Sequence, residues 1–277
     1  MFEGRRILIA SQHKKEDVLS PLLTKALGVI PVTCDALDTD QLGTFTGEVE
    51  RSSDPLATAR KKCEIGMELS GTDLAVASEG SFGSHPIIPF VPAGDEIIIL
   101  VDKKNAIEIA ARDITTETNF SGETVDNETA LRAFAERALF PSHGLILSGG
   151  PKKAFLKKGI QAWKDLIEFF DVMKCKQMSI HIETDMRAMY NPTRMKAIGK
   201  ACKKLIEKIK STCPNCSCPG FSVFSAHDGL PCSLCGRDTR STLFHMYRCQ
   251  KCLHEEIKRY PHNKHEEDPM YCDYCNP

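Results

Sequence analysis

The sequence has few aromatic residues, almost no net charge and no long hydrophobic run. Aromatic residues make up 7% of its 277 residues and include one tryptophan, which is little for a surface that binds nucleic acid by stacking on bases. The formal net charge of −1 argues against nonspecific binding of polyanions by the whole chain. No apolar run approaches the roughly 20 residues of a membrane span, and the short run ILIA near the start is no signal peptide. We therefore expect a cytoplasmic protein with reduced cysteines and no membrane partner.

The small net charge conceals an uneven distribution along the chain. Residues 1–150 contain 14 basic and 23 acidic residues, whereas residues 151–210 contain 15 and 6. The remaining residues contain 7 and 8. The basic middle segment is consistent with an anion-binding cleft, and equally with a solvated face or with attraction to the acidic first part.

Hydrophobic periodicity predicts an α/β domain over residues 1–210. Short apolar runs, among them RRILIAS, LAVASEG, EIIILVD and SIHIET, alternate with helical patterns in the order typical of α/β folds. Asp54 before Pro55 predicts the start of a helix. Asn191 before Pro192 predicts the start of the last helix of this domain in the same way. The segment SFGSHPIIPFVPAG, rich in proline and glycine, is predicted to be a connection.

The last part of the chain, residues 211–277, contains four C-x-x-C pairs. Each pair points two thiolates at one metal, and two pairs complete the tetrahedral shell that Zn²⁺ prefers. Few large apolar residues accompany them, so bound metal would supply the stability that a core cannot. The sequence predicts two structural zinc ions in a zinc-ribbon-like module, bound by Cys213, Cys216, Cys232, Cys235, Cys249, Cys252, Cys272 and Cys275.

The pairing of these cysteines has three alternatives. The stretch PCSLCGRDTRSTLFHMYRCQKC is similar to a single zinc ribbon, in which the second and third pairs share one metal and the first and fourth pairs share the other. Sequential pairing is the second alternative and crossed pairing the third. A shell of four thiolates leaves no open coordination position, so neither metal is predicted to be catalytic.

A polar cluster follows the apolar strand that ends near Glu79. Gly80 permits the close approach of a ligand to the backbone, and the amides around Ser81 can cradle a phosphate. A carboxylate at the end of a strand, such as that of Glu79, can bind Mg²⁺.

A second polar cluster, IHIETDMRAMYNPTRM, alternates carboxylates and guanidiniums ahead of a helix. Glu183 and Asp185 share a face of a strand, and Arg187 joins them if the strand continues. Arg194 falls in the first helical turn, where backbone amides favour an anion. We interpret this cluster as a mixed site with carboxylates on Mg²⁺ and arginines on phosphate oxygens. An internal ion-pair network that joins the strand to the helix is the alternative.

The first hundred residues resemble the inosine/xanthosine triphosphatase-like family. Ala59-Arg60 resembles part of the family's A-R-x-x-A helix, and Ala77–Gly80 resembles its G-[IV]-E-G-G-like turn after a strand. Lys15 stands one place before the lysine of the family's first loop. The resemblance implies a bent mixed sheet with flanking helices and a cleft, a Mg²⁺ ion and hydrolysis of noncanonical nucleoside triphosphates.

Nearly the whole chain also resembles a bacterial family of unknown function. The shared motifs are GTFTGE at Gly43–Glu48, ASEGSFG-x-HP at Ala77–Pro86, ETDMRA-x-x-NPTRM at Glu183–Met195, and a terminal C-x-x-CNP at Cys272–Pro277. This second resemblance implies no established reaction.

Three classes of function follow from these observations. The first is a Mg²⁺-dependent phosphohydrolase that acts on a nucleotide, similar to a nucleoside-triphosphate pyrophosphohydrolase. Its predicted metal-binding carboxylates are Glu79, Glu183 and Asp185. Its predicted phosphate-binding cations are Lys15, Arg60, Arg187 and Arg194. The second class is a nucleic-acid-binding protein that uses the zinc module and the lysine-rich last helix, and the third is a protein-binding scaffold without catalysis. The first class is our prediction.

Overall fold

The structure is a computed structural model that describes residues 1–37 and 54–277. These residues divide into two compact units, Met1–Leu205 and Ile206–Pro277. The motif at Gly43–Glu48 lies outside the described residues.

The helices of the described residues are α1 (Glu16–Leu27), α2 (Pro55–Ser70), α3 (Glu128–Arg137), α4 (Trp163–Cys175) and α5 (Pro192–Lys210). The strands of the first unit are β1 (Arg6–Ile9), β2 (Ile30–Val32), β3 (Leu74–Ser84), β4 (Pro92–Asp102), β5 (Ile107–Thr115), β6 (Gly122–Val125), β7 (Leu145–Gly149), β8 (Phe155–Ile160) and β9 (Ile180–Thr184). None of these helices combines the length and the apolar content that a membrane span requires.

The strands of the first unit form two sheets. The first sheet has the order β2-β1-β3-β4-β5, in which β1 is parallel to β2 and β3, while β4 is antiparallel to β3 and β5. The second sheet has the order β6-β9-β7-β8 and is antiparallel throughout. The unit is therefore mixed α/β, as predicted. The resemblance implied a single bent sheet, whereas the described strands of this unit form one mixed sheet and one antiparallel sheet.

Local signals at the helix ends act as predicted. The Asp54 carboxylate accepts hydrogen bonds from two amides of the first turn of α2 and so caps it. Asn191 Oδ1 accepts a hydrogen bond from the Arg194 amide at 2.9 Å and caps α5 in the same way. Gly28 follows the last residue of α1 with a φ of 66°, a left-handed conformation that glycine adopts without a Cβ clash.

The segment predicted to be a connection, residues 81–94, is half strand. β3 extends to Ser84, and its ladder with β4 includes the pair Gly83 and Ala93. Backbone hydrogen bonding along this long antiparallel hairpin outweighs the proline and glycine content of the segment. The loop is limited to residues 85–91, and the hairpin continues well past the end of β1.

Each sheet of the first unit has its own apolar core. α2 covers one face of the first sheet, where Cys63 and Met67 pack with Ala75 and Ile99. α3 and α4 cover one face of the second sheet through a separate cluster that includes Leu147, Ile182, Phe134 and Phe170. Removal of these side chains from water stabilises each layer by about 1.5–3 kcal/mol for each large residue.

The second unit contains a three-stranded antiparallel sheet of β10 (Ser222–Asp228), β11 (Thr242–Arg248) and β12 (Glu255–Arg259). The strands alternate with the cysteine pairs along the chain. The first pair precedes β10, the second lies between β10 and β11, the third lies between β11 and β12, and the fourth follows β12. Because neighbouring strands are antiparallel, consecutive pairs lie at opposite ends of the sheet.

Candidate functional site

Lys15 lies at the edge of β3, just beyond the point where β1 ends. Ile9 pairs with Val76, the Ala10 amide donates to the Val76 carbonyl, and the chain then leaves the sheet. The buried Lys15 Nζ donates to the Ser78 carbonyl at 2.7 Å and to Ser78 Oγ at 3.1 Å. A lysine ammonium therefore takes the place on β3 that a further amide of β1 would have occupied.

Lys62 and Glu79 form a buried ion pair on the face of β3 that α2 covers. Glu79 follows Ala75 and Ala77 at alternate positions of β3, so all three side chains point to the same face. Lys62 Nζ forms an ion pair with Glu79 Oε1, and the two side chains are 10% and 4% exposed. Two charges with so little exposure stabilise one another, because either would be costly to bury alone.

Glu96 and Arg194 form a second buried ion pair. The register places Glu96 across from Gly80, which points to the face opposite that of Glu79. Arg194 Nε donates to Glu96 Oε1 at 2.7 Å, and Arg194 Nη1 donates to the Met186 carbonyl. A Cβ on Gly80 would lie 2.7 Å from Arg194 Nη2. Glycine is therefore required at this position to accommodate the ion pair.

These five residues, Lys15, Lys62, Glu79, Glu96 and Arg194, are called the buried charge cluster below. Burial and, next, the charge of Arg194 lower the pKa of Lys15 to about 8, against the opposing effect of Glu79 and Glu96. Lys15 responds to charges on both faces of the hairpin because it lies at the strand edge between them. Among the described residues, the cluster thus places three basic side chains with two carboxylates in a buried environment.

Glu96 retains a buried oxygen without a hydrogen-bond partner. Across residues 1–37 and 54–277, no group donates to Glu96 Oε2. An unsatisfied buried polar atom costs about 1–3 kcal/mol, and its presence in a folded protein calls for a water, an ion or a ligand. The cluster thus offers cations for an anion and a carboxylate oxygen for a cation.

The other predicted carboxylates belong to the second sheet and have partners of their own. Glu183, on β9, has its carboxylate 3.7 Å from Lys153 Nζ. Asp185 lies just after β9, is fully buried, and accepts hydrogen bonds from the Arg187 guanidinium and from the Gly159 amide. The bonds of Asp185 join β8 to the end of β9, which is the geometry of the internal ion-pair alternative.

Glu79, Glu183 and Asp185 do not converge on one metal position. In the described part of the chain, the groups of three or more histidine, cysteine or acidic residues with ligand atoms within 4.8 Å of one another consist of cysteines alone. Two further predicted residues also lie elsewhere. Arg60 pairs with Glu108 at a partly exposed position, and Ser81 lies across the hairpin opposite residue 95.

The structure brings together four of the residues predicted from the sequence: Lys15, Glu79, Gly80 and Arg194. Lys62, Ser78 and Glu96 are further members of the site that were not predicted. A signal for Lys62 exists, because its helical spacing from Ala59 and Gly66 places it on the buried face of α2. Glu96 precedes the apolar run IIILV, but nothing in that pattern indicates an arginine partner almost a hundred residues later.

Two cysteine tetrads in the second unit have the geometry of metal sites. They consist of Cys213, Cys216, Cys249 and Cys252, and of Cys232, Cys235, Cys272 and Cys275. Sulfur atoms of different pairs within one tetrad lie between 3.6 and 3.9 Å apart. Four thiolates bound tetrahedrally at about 2.3 Å from zinc would be separated by about 3.8 Å. All eight thiols are unbridged, and each tetrad could hold a metal ion.

The pairing of the cysteines is crossed, so the zinc-ribbon pairing favoured from the sequence is wrong. The first pair joins the third and the second joins the fourth. β11 has seven residues and therefore separates the second pair from the third by about 23 Å. The antiparallel strands return alternate pairs to the same end of the sheet, and each end gathers one tetrad.

The described architecture defines a class of protein: a mixed α/β unit followed by a module with two cysteine tetrads. Residues 62–277 match the model of the family described as a domain of unknown function, DUF6671, and the chain belongs to this family. A search of curated proteins found no significant match. Among solved structures, protein VC0702 from Vibrio cholerae matches with 11% sequence identity and a TM-score of 0.31, and the match covers 74% of this chain and 94% of that chain.

Proposed function

We propose that the protein is a phosphohydrolase that acts on a nucleotide or a related phosphate compound at the buried charge cluster. The observation that carries the proposal is the burial of three cations with two carboxylates at the end of β1. Buried cations are suited to bind an anion, because its charge offsets the cost of their burial. Phosphate is suited to this role, because its oxygens accept charge-assisted hydrogen bonds from lysine and arginine.

Lys15 is the cation best placed to bind the phosphate. Two of its three N–H bonds point to Ser78, and among the described residues the third has no acceptor. Its ammonium lies at the edge of β3, beyond the end of β1, between the two faces of the hairpin. Lys62 and Arg194 contribute charge from the two sides, which stabilises the negative charge that develops on a departing phosphate.

The residues of the cluster also fit a Mg²⁺ ion. This ion usually binds through one or two carboxylates together with phosphate oxygens of the substrate, so a triad of carboxylates is not required. The unsatisfied Glu96 Oε2 is the carboxylate oxygen available for it, and Glu79 is the second candidate. When bound, Mg²⁺ would polarise a phosphoryl oxygen. Glu183, Asp185 and Arg187 have no part in this proposal, because they are engaged in the second sheet.

The proposal includes an inosine triphosphatase-like architecture for the first unit. The mixed sheet, the long β3–β4 hairpin and the place of Glu79 after the apolar part of β3 support it. The resemblance of the motif at Ala77–Gly80 to the family's turn supports the same conclusion.

Enzyme assays with matched carboxylate variants test the proposal. A panel of canonical and noncanonical nucleoside triphosphates is incubated with the full chain and Mg²⁺, and release of phosphate and pyrophosphate is measured. We expect Mg²⁺-dependent turnover that Glu79→Gln and Glu96→Gln abolish, because each keeps its shape and loses its charge. Glu183→Gln is the control, since its carboxylate lies outside the cluster, and it should retain activity.

A thermal-shift measurement separates binding from catalysis in the same panel. Lys15→Met should remove the stabilisation by nucleotide, and binding to the unchanged protein should weaken as the pH rises through about 8, where Lys15 loses its proton. The absence of both turnover and thermal shift for every nucleotide would refute the proposal. Equal loss of activity in Glu183→Gln would place the chemistry elsewhere.

For the second unit, we infer that the two tetrads bind structural zinc. The sulfur separations and the reduced thiols expected in a cytoplasm support zinc. A binding role without catalysis is the second candidate function of the protein. It is supported by exposed apolar side chains, because Leu234 and Leu253 at two cysteine turns are 73% and 70% exposed. Phe224 is 60% exposed, with the Arg248 guanidinium 3.6 Å from its ring centroid.

Binding of single-stranded oligonucleotides to the full chain tests this second candidate. Phe224→Ala should weaken binding, because bases stack on exposed aromatic rings and each such ring contributes about 1–3 kcal/mol. A protein with its full metal content that binds no oligonucleotide would refute the nucleic-acid form of this candidate.

A further inference from the structure

A cavity of about 550 Å³ lies at the end of the second sheet where β7 ends and β9 begins. The glycine turn after β7 forms one wall, and the segment that joins α4 to β9 forms the other. A Cβ on Gly149 would lie 2.7 Å from the Ser179 carbonyl, and Gly150 has a φ of 76°. The two walls therefore approach as closely as they do because both positions are glycine.

Ser148 places a buried hydroxyl in this cavity. The residue is 1% exposed and lines the cavity wall. Its wall position follows from its place on β7, directly before the glycine turn. A serine hydroxyl at this position can donate one hydrogen bond to a molecule bound in the cavity.

Positive charge surrounds the same cavity. Lys153, Lys176 and His181 line it. Lys176 Nζ lies 4.7 Å from the centroid of a neighbouring phenylalanine ring, which holds the long side chain in place. The Glu183 carboxylate is close by, 3.7 Å from Lys153 Nζ and 3.8 Å from His181 Nε2. The two lysine ammonium groups make the described lining of the cavity suited to an anion.

We propose that this cavity binds the phosphoryl group of a small metabolite. Ser148 donates a hydrogen bond to one phosphate oxygen, and Lys153 and Lys176 compensate the charge of the dianion. A phosphate offers more acceptor oxygens than a carboxylate and carries twice the charge, which matches a hydroxyl and two ammonium groups.

The cavity is separate from the buried charge cluster. His181 lies near the start of β9, and Asp185 lies four residues further, about 13 Å along the strand direction. The carbonyl that binds Arg194 follows Asp185 directly, at residue 186. The two sites therefore lie at opposite ends of β9, and one can bind a ligand without the other.

Amide NMR spectra of the full chain, recorded during titration with inorganic phosphate at constant ionic strength, test the proposal. We expect shifts at Gly149, Gly150 and Ser179, and none there with acetate. Ser148→Ala and Lys176→Met should each weaken this binding by about tenfold, as expected for loss of one hydrogen bond to a charged group. Lys164→Met is the matched control. Lys164 is in α4, which ends next to Lys176, and its side chain is 83% exposed and does not line the cavity.

The proposal would be overturned by an absence of shifts at tens of millimolar phosphate, by shifts confined to residues around Gly80, or by unchanged affinity in Ser148→Ala. Equal shifts with acetate would show a general anion site and would also overturn the assignment to phosphate. The two variants differ in their risk of misfolding, since Lys176 is exposed, so at least one of them reports on a folded protein.

Discussion

The crossed pairing of the cysteines leads to a test in which two double variants give different metal contents. Replacement of Cys213 and Cys249 with serine removes two ligands from one tetrad and leaves the other complete. Replacement of Cys213 and Cys232 removes one ligand from each tetrad. The crossed arrangement therefore predicts that the first variant retains one zinc ion per chain. In the ribbon and sequential pairings, Cys213 and Cys249 belong to different sites, so the same variant would damage both.

The expected loss of affinity is large. The sulfur separations of 3.6 to 3.9 Å fit a complete four-thiolate shell. Structural zinc in zinc-finger peptides binds with about 10–16 kcal/mol, so loss of two of four thiolates should remove about 5–8 kcal/mol. Since about 1.4 kcal/mol corresponds to a factor of ten, affinity should fall by more than about a thousandfold. A site weakened to this extent loses its metal during dialysis.

Native mass spectrometry and elemental analysis after dialysis measure the outcome. The unchanged chain should carry two zinc ions, and the Cys213 and Cys249 double variant should carry one. A double variant of Cys34 and Cys175, which lie outside both tetrads, should still carry two. Loss of both ions from the Cys213 and Cys249 variant would refute the crossed pairing, provided that the first unit stays folded.

Three further predictions concern stability. Gly80→Ala should destabilise the protein by about 1–3 kcal/mol in urea unfolding, because a Cβ there would overlap the Glu96–Arg194 ion pair. Gly83→Ala on the same strand is the control and should have little effect, because a Cβ there meets no atom within 4 Å. Asn191→Ala should cost about 1 kcal/mol or more, because it removes the cap of α5, and a loss below a few tenths would contradict the capping role. Burial lowers the pKa of His143 below its usual value of about 6.5. The neutral imidazole therefore contributes its full stabilisation above about pH 6.5, and this contribution is lost as the pH falls through the lowered pKa. Calorimetry between pH 5 and 8 should show this pH dependence of stability, and His143→Gln should reduce it.

Local features of the sequence were sufficient to predict local structure. Asp54 and Asn191 specify the starts of α2 and α5, because a cap requires only one side chain and the amides next to it. The C-x-x-C pairs specify turns with two thiols each for the same reason. The hairpin loop is the exception, since the pairing of Gly83 with a residue of the next strand outweighs the local preference for a turn.

The sequence by itself determined which groups carry charge and which thiols form pairs, because these are properties of short segments. Only the tertiary structure decided their partners. Glu79 and Glu183 each follow an apolar run in the sequence. In the structure, Glu79 on the first sheet pairs with Lys62 of α2, and Glu183 on the second sheet pairs with Lys153. The cysteine pairs are joined by the direction of the strands between them, which returns every second pair to the same end of the sheet. Such contacts depend on which segments meet after the chain has closed long loops, and neither composition nor spacing contains that information.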